Sequence, residues 1–152
     1  MSLLVNPTRY IYAPSKFTCI EGNDMGYTID RTITGASFGE VEKRTREALS
    51  KQGFGVLTEI DVQATLKNKI DAEMPAYLIL GACNPKMAYK AIEIEPRVGA
   101  MLPCNVIIRE VGDSVEVSAV NPQASMAEID NERLAAVAGD VREMLAEAVR
   151  SI

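Results

Sequence analysis

From Gly26 onward the apolar positions fall into short periodic runs, and those runs predict the elements. Tyr27, Ile29 and Ile33 alternate with polar residues, a period of two that predicts a half-buried strand ending near Gly35. Ser37-Phe38-Gly39-Glu40 has capping-box spacing, in which the serine oxygen accepts from a free amide while the glutamate reaches back to the cap. A helix follows with Phe38, Val41, Thr45, Ala48 and Leu49 on one face, and Gly53 supplies its stop. Alternation then places Phe54, Val56, Thr58 and Ile60 on one side of a second strand and Leu57 on the other, so this strand is expected to be covered at least partly on both sides. Asp61 is placed to cap a short helix, Val62 to Ile70, with Lys67 and Lys69 at the end where cations suit the helix dipole.

The run Ala76 to Ala82 is almost wholly apolar and reads as a buried interior strand. Asn84-Pro85 reads as an N-cap followed by proline in the first turn, opening a helix to about Ile94 that Pro96 ends. A turn through Gly99 leads to Pro103. Val106 and Ile108, then Val115, Val117 and Ala119, alternate on two strands that Gly112-Asp113 joins as a hairpin, and Asn121-Pro122 closes it. Leu134, Val137, Ala138, Val141, Leu145, Ala148 and Val149 form the stripe of a last amphipathic helix. The order β-α-β-α-β-α-β-β-α predicts an α+β class, with helices layered on a mixed or mostly antiparallel sheet. Residues 1–24, with Pro7, Pro14 and Gly22 and no sustained period, read as an irregular arm with one short strand at Arg9 to Ala13. Residues 25–152 read as one domain.

Composition narrows the function more than the fold. At 152 residues and 47% hydrophobic, the chain is long enough for one core. A net charge of -5, with no cluster of basic residues, argues against nucleic acid as a partner. With no apolar run of bilayer length and no basic-flanked leader, neither a membrane partner nor secretion is expected, and a cytoplasmic location follows. Three cysteines without a CxxC pair fit neither a disulfide framework nor a zinc ribbon, and a reducing compartment is the simplest setting. The absence of histidine removes Ser-His and Cys-His nucleophiles and histidine-ligated metals.

One word occurs twice. Gly81-Ala82-Cys83-Asn84-Pro85 and Leu102-Pro103-Cys104-Asn105-Val106 each carry Cys-Asn at an element boundary, and the pair points to one shared pocket. A helix start behind Cys83 favours thiolate, which would make Cys83 a nucleophile or sulfur carrier and Cys104 its resolving partner. The alternative for both is packing, the commonest role of a free cysteine. Asn84 and Asn105 either cap and turn the chain or present amides to a ligand, and Lys69 either binds an anion with Thr65, one helical turn before it, or is a solvated surface charge, the commoner role of such a lysine. A metal held by Cys83, Cys104 and Glu93 or Glu95 lacks the ligand spacing that would support it, and no metal is expected. No cofactor is named by these residues.

The stretch Gly53-Phe54-Gly55-Val56-Leu57-Thr58-Glu59-Ile60-Asp61-Val62, then Thr65-Leu66-Lys67 and Lys69, then Tyr77 with Leu80 to Pro85, then Gly99 with Leu102 to Val106, resembles the "domain of unknown function 302" family in wording and in spacing. The resemblance covers Gly26 to Pro122, and it implies a compact α+β domain that forms a homodimer and whose role is not established. Its signature positions are Cys83, Asn84, Pro85, Pro103, Cys104, Asn105, Thr65, Leu66 and Lys69. Cys19 has no counterpart. The resulting expectation is a dimeric module binding a small molecule or anion through Asn84, Pro85, Pro103, Asn105, Thr65 and Lys69. A thiol redox or sulfur-transfer protein using Cys83 and Cys104 is the first alternative, and a structural interaction protein with buried cysteines the second.

Overall fold

The strand that starts the domain and the strand that follows its first helix lie at opposite edges of one sheet. The computed structural model describes residues 26–152. The predicted arm over 1–24, its short strand and Cys19 lie outside the described residues. The strands are β1 (Thr28–Thr34), β2 (Gly55–Asp61), β3 (Tyr77–Cys83), β4 (Cys104–Val111) and β5 (Ser114–Val120), in the order β1-β5-β4-β3-β2 with every pairing antiparallel. Between β1 and β2 runs helix α1 (Phe38–Lys51), which crosses the sheet and makes both flanking strands edges.

Helix α1 starts where the sequence says. Glu40 N donates to Ser37 Oγ, and Ser37 N donates to Glu40 Oε2 at 2.8 Å, which completes the capping box. Val41, Thr45, Ala48 and Leu49 are buried, and Gly53 turns the chain with a φ of +81° that a side chain would strain. Helix α2 (Val62–Ile70) is capped by Asp61, whose Oδ1 accepts from Ala64 N at 2.9 Å. Helix α3 (Pro85–Ile94) begins at the Asn84 cap, and a 3-10 helix over Pro96–Met101 replaces the simple turn expected through Gly99. A second addition is the four-residue α4 (Pro122–Ser125), capped by Asn121. The long helix α5 (Glu132–Arg150) closes the domain, with Asn131 accepting from the amides of Arg133 and Leu134. Arg31 of β1 donates to the carbonyls of Val149 and Arg150 and ties the end of α5 to the sheet edge.

One face of the sheet supplies the core. Leu78, Leu80 and Ala82 of β3, Cys104, Val106 and Ile108 of β4, and Val115, Val117 and Ala119 of β5 pack with Val41, Leu49, Met87, Val141 and Leu145 from α1, α3 and α5. A second cluster of Ala91, Val98, Met126, Leu134 and Ala138 fills the space beneath α3 and the 3-10 helix. The first cluster follows the predicted strand and helix stripes, and the second takes only Leu134 and Ala138 from the predicted α5 stripe.

The expectation that fails is the covered second strand. β2 is an edge, and its pairing with β3 shifts between Val56 and Thr58, so that Leu57 is bulged out and 66% exposed. A bulge inserts one residue and reverses the face of everything after it. Val56 pairs with Ala82 on the core side, whereas Thr58 pairs with Gly81 and Ile60 with Ile79 on the opposite side. A period read from sequence has no means of counting that extra residue.

Candidate functional site

The two Cys-Asn words lie on neighbouring strands but one residue out of phase. Ala82 pairs with Cys104, and Gly81 with Asn105. Since directly paired residues share a face, alternation sends Cys104 to the core with Ala82, and Asn105 to the opposite face with Gly81 and Cys83. Asn84, one residue beyond Cys83, returns to the helix side, where its Nδ2 donates to Gln52 O at 3.4 Å and stands 3.8 Å from Met144 Sδ. The two asparagines therefore go to opposite faces, while Cys83, at the end of its strand, still borders the same core cavity as Cys104.

On the helix face these residues are occupied. Asn84 Oδ1 accepts from Met87 N at 3.4 Å, which starts α3 at Pro85, and its amide braces the end of α1. Cys104 is 6% exposed beside a cavity of about 30 Å³ lined by residues of both core clusters, among them Phe54, Met87, Leu102 and Met126. Asn84 borders it, as does Cys83 from the end of its strand. That volume is the size of about one or two water molecules and its wall is apolar, so it is a packing seam. Burial pushes the Cys104 thiol up to about 11, with the charge of Cys83 adding to the effect. A buried thiol with that affinity for its proton is a poor nucleophile at neutral pH.

On the opposite face the same segments build a corner. Thr58 of the edge strand pairs with Gly81, Asn105 flanks Gly81 on its other side, and Cys83 is half-buried at the strand end. Gly81 has no side chain because none fits: an added carbon would collide with Thr58 Oγ1 and stand 2.8 Å from Pro103 Cγ. The Pro103 ring and the Thr58 hydroxyl thus close over a glycine floor. Asn105 is exposed, and no hydrogen bond of its carboxamide to the described residues is seen. Beyond this row run Ile60, Ile79 and Ile107, paired in sequence across β2, β3 and β4.

Thr65 and Lys69 belong to α2, and both are exposed. The Thr65 hydroxyl donates to Asp61 O at 2.6 Å. Among the described residues no group of three or more cysteine, aspartate and glutamate side chains is placed to hold a metal ion, and Glu95 is bound to Arg97 through its amide and guanidinium. Thr58 and Gly81 are the corner residues that sequence reasoning passed over as individual sites. The signal available was that both stand inside the same family words as Cys83 and Asn105.

The family model of "Domain of unknown function DUF302" matches residues 29–152. The chain belongs to the DUF302 family. A crystal structure of an uncharacterised conserved DUF302 protein from Bacillus stearothermophilus superposes with a TM-score of 0.74 at 24% identity, over 81% of this chain and 97% of that one. At that identity the likeness concerns the fold. No curated protein matches the chain. The DUF302 match begins one residue into β1 and takes in the rest of that strand, the other four strands, the helices and both Cys-Asn words. No helix among the described residues is long and apolar enough to cross a membrane.

Proposed function

We propose that this DUF302 chain is a homodimeric binding module that holds a small polar molecule at the sheet corner of Thr58, Cys83, Pro103 and Asn105, without thiol catalysis. The observation that carries the reading is the phase offset of the two Cys-Asn words. It turns the exposed Asn105 to the same sheet face as Thr58, one on each side of Gly81, while Cys104 stays enclosed with its proton held by burial. An amide and a hydroxyl offer donors and acceptors at a fixed spacing on a rigid sheet, which suits recognition of a neutral or anionic polar group. Asn84 and Pro85 support the corner from behind by starting α3. Among the described residues Cys83 and Cys104 are free thiols, and we infer a reducing, cytoplasmic setting from them.

The experiment is an NMR titration of the isotope-labelled chain with a panel of carboxylates, sugars and nucleosides. Binding is expected to shift the amides of Thr58, Gly81 and Asn105 and to disappear in Asn105→Ala. Binding whose shifts cluster elsewhere sinks the reading.

A further inference from the structure

The seam on the helix face is small and apolar, and sulfur-bearing residues crowd around it. Cys83 and Cys104 border it, as do Met87 of α3 and Met126, the residue that ends α4. The described residues hold two cysteines and five methionines, so four of these seven border one space of about 30 Å³. Cys104, Met87 and Met126 are enclosed, at 6%, 8% and 8% exposure, whereas Cys83 is half-buried and gives a way in from solvent. The two cysteines are near neighbours. Cys104 pairs with Ala82, the residue before Cys83, and a negative charge on Cys83 is felt at Cys104. Methionine in a core ordinarily fills an irregular gap, but here two methionines border a space that stays open.

We propose that this seam is a binding site for Cu(I), held by the thiolates of Cys83 and Cys104 with the thioethers of Met87 and Met126 completing its shell. The donor set chooses the metal. Thiolate and thioether are soft ligands, and together they suit Cu(I). Zinc takes thiolate, imidazole or carboxylate, and among the described residues no third cysteine or carboxylate is placed to join the pair. An iron–sulfur cluster is held by cysteine thiolates and needs more room than this space offers. Each thiol releases its proton to solvent as its sulfur bonds the metal, so one Cu(I) and two thiolates leave a single negative charge in the seam. That charge lies at the N-terminus of α3, just after Cys83 and Asn84, where the helix dipole favours an anion. The expectation of no metal set the cysteines beside Glu93 and Glu95, whereas the fold brings methionines from α3 and the end of α4. Neither Thr58 nor Asn105 takes part, so the site is separate from the corner.

The test is a titration of the full chain, in a Cys19→Ser background and without oxygen, with Cu(I) supplied as its acetonitrile complex against the chromogenic chelator bicinchoninate. One Cu(I) per chain is expected, with sulfur alone in its first shell by X-ray absorption. Cys83→Ser, a half-buried position that the fold tolerates, is expected to weaken binding by roughly a hundredfold or more, since loss of a supporting contact alone costs about ten- to a hundredfold. Met126→Leu, which keeps the volume, weakens it by about tenfold. Met101→Leu, an exposed methionine outside the cavity, changes nothing. Nitrogen or oxygen in the first shell, unchanged affinity in either Cys83→Ser or Met126→Leu, or no copper held against the chelator overturns the site. Asn105→Ala leaves copper binding as it is, so the corner and the seam fail separately.

Discussion

Gly81 and Thr58 are paired across β3 and β2, and the Thr58 hydroxyl occupies the room that a side chain at Gly81 would need. Gly81→Ala is therefore expected to destabilise by roughly 1–3 kcal/mol, the range for forcing a methyl into a filled site. Thr58→Ala by itself removes an exposed hydroxyl at small cost. The double variant is expected to recover part of the loss but not all of it, because Pro103 still crowds the position. Urea unfolding of the four proteins gives the coupling energy. Strict additivity would mean that the corner is not packed as described.

The Cys104 thiol titrates at about 11 against an ordinary 9.0 because burial penalises its thiolate. A raised folded value means that the folded state prefers the proton. Its contribution is fully present below about pH 9 and is lost as pH rises through about 11, a span worth roughly 3 kcal/mol. Cys104→Ala is expected to flatten the alkaline limb of stability against pH, whatever it does to the plateau. In alkylation followed by peptide mass spectrometry, half-buried Cys83 is expected to react in the native state and Cys104 only at the rate of unfolding. Comparable native rates for the two would contradict the enclosure of Cys104.

Much of this fold could be read from period and punctuation. The Ser37 box, the Asp61 and Asn84 caps, the Gly112-Asp113 hairpin and the stripe of α5 are local devices, each fixed by side chains within a few residues of its backbone target. What escaped was non-local. The Leu57 bulge is visible only once β3 is laid alongside β2, and its effect is to turn Thr58 and Ile60 away from Val56. The Cys-Asn words invite a single pocket because they look alike. Register, set by the pairing of Ala82 with Cys104, sends Asn105 to the other face, although both cysteines and Asn84 border one apolar seam.

The capping box gives a pH signature at the start of α1. Glu40 is held below its ordinary 4.5, first by the Ser37 backbone amide and then by the Ser37 hydroxyl. A depressed carboxylate contributes stability that is present above about pH 4.5 and lost as pH falls through the lowered folded value. Glu40→Gln is expected to shallow the acid limb below pH 4.5, and Ser37→Ala to cost about 1 kcal/mol at neutral pH. Thermal melts across pH 3 to 7 decide it. An unchanged acid limb in Glu40→Gln would remove the box as its source.

Asn84 carries two roles that can be pulled apart, since its oxygen caps α3 through Met87 N while its amide reaches Gln52 O. Asn84→Ala loses both and is expected to cost about 1 kcal/mol for the cap alone. Asn84→Asp keeps the capping oxygen and adds a negative charge that the positive end of α3 favours, yet it loses the donor to Gln52 and sets a carboxylate against that carbonyl. If the cap dominates, Asn84→Asp remains close to wild type in chemical denaturation. If the brace to α1 dominates, it falls to the level of Asn84→Ala, and hydrogen exchange speeds up in the last turn of α1 around Leu49 to Gln52. The structure favours the cap. Both contacts are long, but the cap serves a helix terminus whose amides would otherwise lack partners, whereas Gln52 is only half-buried and its carbonyl can turn to water.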